Sequence, residues 1–357
     1  MLNPNPVSQS TTSASAVPTV VYYPQANAAL RLFALWYFLV LMVLWNIAGH
    51  TFLGFEQPWI APFVAVGAAS ITQLLLEWID AKANGRRPRY AGSWSNFANF
   101  MPPAMISGFA CGMLLYPNDR LMPFVFAGVL SIASKLLFRI QLPDGRWTHF
   151  MNPSNFGIIA TLLLFPAVGQ APPYHFTENI TGLWHWFLPA AIMGTGIIVH
   201  GYATGRLPLC IAWLTAFVIQ GVFRSWFNSD LGHWWVPLTP MSSAGFILFT
   251  LYMIPDPATT PIRLDRQILF GASVAFTYAF FQMNHIVYGL FLALVSVCAI
   301  RGLLITLFFR PSTQSTSAGA SLPAHSSARS TASSPSNRNE PESNELEPEH
   351  AEPAIAR

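Results

Sequence analysis

The stretch Asn152-Pro153-Ser154-Asn155-Phe156-Gly157 combines groups that can hold a ligand. Pro153 lacks a backbone donor and fixes its own φ, so it suits the first turn of a helix. Asn152 is then placed to cap that helix, and Ser154 and Asn155 add a hydroxyl and an amide where free N–H groups point outward. In a poorly solvated place such an end favours anionic or carbonyl-bearing ligands. An ordinary capped helix start explains the same residues, and both readings stay open. A second stretch, Asp256-Pro257-Ala258-Thr259-Thr260-Pro261, sets a carboxylate where an apolar run meets three prolines. Asp256 can cap the following turn, pair with Arg263 or Arg266, or face a cavity. These two stretches supply the candidate ligand or pathway residues: Asn152, Pro153, Ser154, Asn155, Asp256, Thr259 and Thr260.

The remaining chemistry is sparse. The sequence has no His–carboxylate metal spacing, no phosphate loop and no nucleophile elbow, so no metal is expected and no catalytic residue is assigned. Cys111, Cys210 and Cys298 each lie alone in an apolar run, as packing residues do. Lys135 is expected to snorkel to the cytoplasmic surface. Glu77 and Asp80 are expected to pair with Lys82. Gln73, His200 and Gln220 read as interhelical glue. Asn179-Ile180-Thr181 fits a glycosylation acceptor pattern that also arises by chance.

The elements that position these residues are apolar. Hydrophobic residues make up 53% of the chain and charged ones 9%, against about 25% charged in a soluble domain. Charges fall in short gaps between apolar runs, the pattern of a chain whose solvent is lipid. The net charge of +3 therefore gives no reason to expect a nucleic-acid partner. Ten apolar segments run roughly 31–49, 59–79, 98–116, 121–138, 153–168, 183–200, 207–223, 241–255, 267–283 and 285–308. A crossing helix needs about 20 residues. The third, fifth and eighth segments are interrupted by prolines and must either cross as broken helices or stop partway. Residues 1–30 and 311–357 read as disordered tails, the second without an aromatic residue and with six acids between Glu340 and Glu352. Nothing resembles a cleavable signal peptide, so the first run is taken as a retained helix.

With all ten segments crossing and the N-terminus inside, 13 arginines and lysines lie on the inner side, against Arg120 and Arg224 outside. A re-entrant fifth segment would leave 9 against 6. The positive-inside rule thus predicts a multi-pass cell-membrane protein with both termini cytoplasmic. The halves also look alike. Arg120-Leu121 precedes Gly128 at the spacing by which Arg263-Leu264 precedes Gly271. Met151-Asn152 and Met283-Asn284 open the fifth and tenth segments. Five segments per half (31–168 and 169–310) force the halves into opposite orientations, and inverted repeats with broken helices point to a central site.

The run from His149 to Gly157, continuing into Leu162-Leu163-Leu164-Phe165-Pro166, resembles the NqrB/RnfD family, as does Met253-Ile254-Pro255-Asp256-Pro257. These are large membrane subunits of sodium-pumping NADH:quinone oxidoreductases and Rnf electron-transport complexes. The resemblance covers roughly residues 90–308. The Asp256–Pro261 run and Phe176-Thr177-Glu178-Asn179 are similar to a divergent branch labelled as enediyne-biosynthesis membrane proteins. The resemblance implies ten helices in two inverted halves, a urea-transporter-like fold, and a role in transmembrane electron or ion transport beside other membrane-complex subunits or as a homo-oligomer. It also implies a flavin or quinone. Members with covalent FMN carry it on the Thr of a Ser-Gly-Ala-Thr motif after segment five. Here that loop reads Thr181-Gly182-Leu183-Trp184. Trp184 offers no hydroxyl, so covalent FMN is not expected, whereas Thr181, Gly182 and Trp184 remain candidates for non-covalent FMN. A flavin-free channel or transporter for a small solute, and an accessory membrane component of a natural-product pathway, are the alternatives.

Overall fold

The computed structural model describes residues 28–141, 147–172, 176–227 and 233–308, all within one packed unit. The tails read as disordered therefore lie outside the described residues, apart from 28–30, which open the first helix. Eleven α-helices account for most of the described residues: α1 Ala28–Ala48, α2 Ala61–Ala83, α3 Trp94–Phe100, α4 Pro102–Leu114, α5 Met122–Leu137, α6 Pro153–Leu164, α7 Trp184–Val199, α8 Leu207–Phe227, α9 Ala244–Leu248, α10 Leu264–Met283 and α11 Gly289–Phe308. Among the described residues, six helical stretches are long and apolar enough to cross a membrane, or seven if one bent pair counts as a span. The molecule is thus an all-α membrane protein.

Local chemistry sets the helix ends. Pro62 and Pro123 sit in the first turns of α2 and α5, where a missing N–H costs nothing. Ser93 and Ser243 cap α3 and α9 by accepting from the N–H groups of Asn96 at 3.1 Å and Phe246 at 3.2 Å. α1 and α7 each run into one turn of π-helix, over Gly49–Leu53 and His200–Thr204. Gly54 and Gly205 end those turns with φ of +91° and +64°, a backbone that favours glycine.

The three proline-punctuated segments differ from one another. The third breaks at Met101 between α3 and α4. The eighth is a 3-10 turn over Val236–Ser242 bent by 74° against the helix Ala244–Met253 that follows. The fifth is α6, whose 12 residues rise about 18 Å, short of a hydrocarbon core of about 30 Å.

Helices pack through glycine. A Cβ on Gly128 of α5 would lie 2.7 Å from the Ala65 carbonyl oxygen and 3.2 Å from the Ala69 nitrogen of α2. One on Gly271 of α10 would lie 2.6 Å from the Leu209 carbonyl oxygen and 2.9 Å from the Trp213 nitrogen of α8. Such close backbone approach is how helices associate where lipid removes the hydrophobic drive.

Loops gather at two ends. One end, the basic side, holds the α2–α3 loop, the hairpin β2 Arg139–Gln141 with β3 Trp147–His149, and the 255–263 loop. There Arg86 bonds Glu77 at 2.6 Å and also pairs with Asp80, while Arg89 Nε lies 3.6 Å from Glu77. Lys82 instead lies over the Trp78 ring at 5.1 Å. This corrects the expected pairing with Lys82: the arginines beyond the helix end reach back to both carboxylates. At the opposite side β1 Leu115–Tyr116 pairs with β4 Gly169–Gln170, and Asn179 donates its N–H to the Leu53 carbonyl at 3.4 Å. Trp184, Trp186, Trp234 and Trp235 are exposed.

Candidate functional site

α6 begins where its sequence says it should. Asn152 Oδ1 accepts from the Asn155 N–H at 3.0 Å and from the Ser154 hydroxyl at 3.1 Å. Its amide Nδ2 donates to the Met253 carbonyl at 2.8 Å, across 101 residues of chain. Pro153 occupies the first turn and is buried. Asn155 is fully buried, and its Nδ2 donates to the Phe291 carbonyl of α11 at 3.0 Å. Its Oδ1 has no partner among the described residues. The start of α6 is thereby tied to two elements of the second half.

The Asp256 loop is largely self-satisfied. Asp256 Oδ1 accepts from the Ala258 N–H at 3.1 Å and Oδ2 from the Thr259 hydroxyl at 3.0 Å. The Asp256 carbonyl accepts the Thr260 hydroxyl at 2.6 Å. Of the three readings of Asp256, the cap of its own turn and a place on a cavity wall are both observed, whereas Arg263 pairs with Asp265 at 3.2 Å.

Two arginines that sequence reasoning did not select hold this loop. Arg206, 1% exposed, donates from Nε to the Thr260 hydroxyl at 2.8 Å and from Nη2 to the carbonyls of Pro257 and Thr260, each at 3.3 Å. Burial pushes its guanidinium down to about 10, against the favourable field of Asp256. Arg301 of α11 donates to the Thr259 carbonyl at 2.7 Å. Thr148 of the hairpin reaches the Ala258 carbonyl at 3.3 Å. Arg206 and Arg301 read in the sequence as basic residues at membrane edges, which carries no signal of a buried clamp.

Around these groups lies a cavity of about 2100 Å³ on the basic side, lined among others by Lys135, His149, Asn152, Ser154, Asp256 and Thr260. Lys135 does not simply snorkel: its Nζ lies 3.5 Å from Gln73 Oε1 within the cavity wall. His149 is held below the ordinary histidine range by burial first; Lys135 and Arg139 push it the same way, and Asp256 opposes them. His200 is fully buried, with its two ring nitrogens 2.7 Å from the Thr204 hydroxyl and 2.5 Å from the Leu251 carbonyl.

Thr181, Gly182 and Trp184 are not brought to this cavity. They sit on the opposite side, all exposed, beside the segment in which Asn179 meets Leu53. Gly182 has φ of +63° and open space around it, and the Trp184 ring packs edge-on against Phe187 at 5.4 Å. No group of three or more metal-ligating side chains occurs among the described residues. No protein-family model matches the chain, and no curated protein sequence matches it.

Proposed function

We propose that this chain is a membrane subunit resembling the NqrB/RnfD family, working in transmembrane electron or ion transport through a cavity between two inverted five-helix halves with a urea-transporter-like fold. The observation that carries this reading is the bond from Asn152 to Met253 at the cavity wall, where a short helix start meets the end of a bent span. Broken helices meeting at a central cavity are the arrangement expected of inverted-repeat transport proteins. Ten crossings follow if the six long spans are joined by the bent pair, by α5 and α6, and by α10. Two correspondences support the repeat. Gly128 meets residues 65 and 69 of α2 in the same frame as Gly271 meets residues 209 and 213 of α8. Each half also opens with a helix that ends in a π turn and a left-handed glycine.

The basic side is the cytoplasmic one, with both termini there, and the exposed tryptophans of the other side form an interfacial belt. Beyond the bilayer, the partners are other membrane-complex subunits or further copies of the chain. A redox role uses non-covalent FMN or a quinone, since Trp184 cannot carry a phosphoester. The test is an absorption spectrum of detergent-purified protein. A visible flavin band that is lost on denaturation and gel filtration supports the reading; a colourless protein with no extractable flavin or quinone removes the redox role. A cavity of about 2100 Å³ exceeds the roughly 300–1,000 Å³ of ordinary ligand pockets. A flavin-free channel or transporter for a small solute is the second reading, since a cavity of that size can pass a solute as well as hold a cofactor. Solute uptake by liposomes carrying the pure protein separates the two.

A further inference from the structure

We propose that the cavity on the basic side binds an anionic amphiphile, its acidic head at Lys135 and its apolar body leaving sideways between α10 and α11. Lys135 is a cation on a helix read as crossing the membrane, where an uncompensated charge is costly. Its hydrogen bond among the described residues is one long contact to a neutral amide, Gln73 at 3.5 Å. An ammonium has three donors, so most of its capacity faces the cavity.

No carboxylate bonds Lys135 among the described residues, although Asp256 adds an attractive field to it. Glu77 and Asp80 are held by Arg86 and Arg89. Asp256 closes its own turn through Ala258 and Thr259. The lining holds seven arginine and lysine side chains against three carboxylates, a surplus of four positive charges. Arg301 and Arg263 are engaged elsewhere, with Thr259 and Asp265. Arg31, Lys135, Arg139 and Arg266 are the remaining lining cations, left without a carboxylate partner among the described residues. The N-terminal end of α6 opens onto the same cavity through Asn152 and Ser154, adding a partial positive charge. The field therefore selects an anion.

The walls select its apolar part. Leu269 and Phe276 of α10 and Leu304 of α11 line the cavity while being 67%, 54% and 47% exposed. They form a lateral mouth toward the surface that meets lipid. A ligand with an acidic head and a hydrocarbon body can enter there without crossing water, which an inorganic anion has no reason to do.

The proposal rests on the central cavity being the working site, but not on redox chemistry. Selective binding by a protein without extractable flavin or quinone would remove the electron-transport role and leave this inference standing. The experiment is equilibrium binding of a radiolabelled short-chain dialkyl phosphate to the full chain in neutral detergent. A dialkyl dimethylammonium of the same chain length and inorganic phosphate serve as competitors. The expected result is saturable binding that neither competitor displaces at matched concentration. Lys135→Met should weaken it about tenfold or more, the scale of one hydrogen bond to a charged group. Lys135→Arg should restore most of it, and Arg87→Gln, exposed outside the cavity, should leave it unchanged. Equal competition by the ammonium amphiphile, equal competition by inorganic phosphate, or full affinity in a monodisperse Lys135→Met protein would each overturn the proposal. If Lys135→Met does not accumulate, the two competitors on the native protein still decide it.

Discussion

The side-chain amide of Asn152 donates to the main-chain carbonyl of Met253 at 2.8 Å, while its oxygen caps α6 through the N–H of Asn155. One side chain thus performs a local and a long-range task. Asn152→Ala removes both. Loss of the cap costs about 1 kcal/mol, and leaving a buried carbonyl without its donor costs about 1–3 kcal/mol more. Asn152→Asp keeps the cap acceptor but turns a carboxylate toward a carbonyl. Thermal unfolding in detergent should therefore show both variants clearly destabilised. An aspartate variant as stable as the native protein would mean that the bond to Met253 contributes nothing.

The apolar runs were legible because crossing lipid imposes length and composition on every helix. The Asn152 cap was legible because capping is local, between residues three apart. The partner of its amide was not, since nothing in Asn152-Pro153-Ser154-Asn155 encodes a carbonyl 101 residues away. Arg206 was hidden for a different reason. A basic residue between two spans reads as a topology signal, and only packing reveals that it is 1% exposed. The Thr181–Trp184 loop came to attention through its likeness to a motif, which says nothing about which residues it will face.

Arg206 clamps the Asp256 loop through Thr260 and Pro257. Its partners are neutral, so the loss on substitution comes from stranded acceptors more than from a broken ion pair. Arg206→Met should cost about 2–4 kcal/mol and loosen residues 256–260. Hydrogen exchange at the Thr259 and Thr260 amides, which bond the Asp256 carbonyl, should accelerate beyond the global loss of stability. Unchanged protection there would show that Arg301 alone holds the loop. Arg206→Lys should fall between the two, because an ammonium cannot reproduce the planar fork.

Gly128 and Gly271 leave no room for a side chain. Alanine at either position would bring a Cβ within 3.0 Å of a backbone oxygen, and overpacking of this kind costs about 1–3 kcal/mol. Gly194 of α7 has nothing within 4 Å of the same added atom. Gly128→Ala and Gly271→Ala should lower the melting temperature in detergent by similar amounts, with Gly194→Ala close to native. A large difference between the first two would argue that the α2–α5 and α8–α10 contacts are not equivalent.

His149 gives a pH dependence of defined sign. Burial, helped by Lys135 and Arg139, holds its folded value below the 6.5 of a free imidazole, with Asp256 opposing. Between the two values the unfolded chain binds more protons, so stability rises with pH there. This contribution is present above about 6.5 and is lost as pH falls through the folded value. Melting temperature should drop on acidification below neutrality, and His149→Gln should flatten that drop. A profile of unchanged slope in the variant would assign the acid sensitivity to other groups.

Sidedness can be tested on residues whose placement is known. Arg87 is exposed on the basic side, and Gly182 is exposed on the other with open space around it. The three native cysteines are all buried, so background labelling by a bulky reagent should be low. Arg87→Cys and Gly182→Cys then report the two faces separately. With the basic side cytoplasmic, an impermeant maleimide added to intact cells should label the cysteine at 182 and spare the one at 87. Permeabilised cells should label both. The reverse pattern in intact cells would invert the orientation and put the cavity, with Lys135, on the outer face. Labelling of both in intact cells would show that the two positions share a side. That outcome is incompatible with ten crossings, because the chain between residues 87 and 182 then makes an odd number of passes.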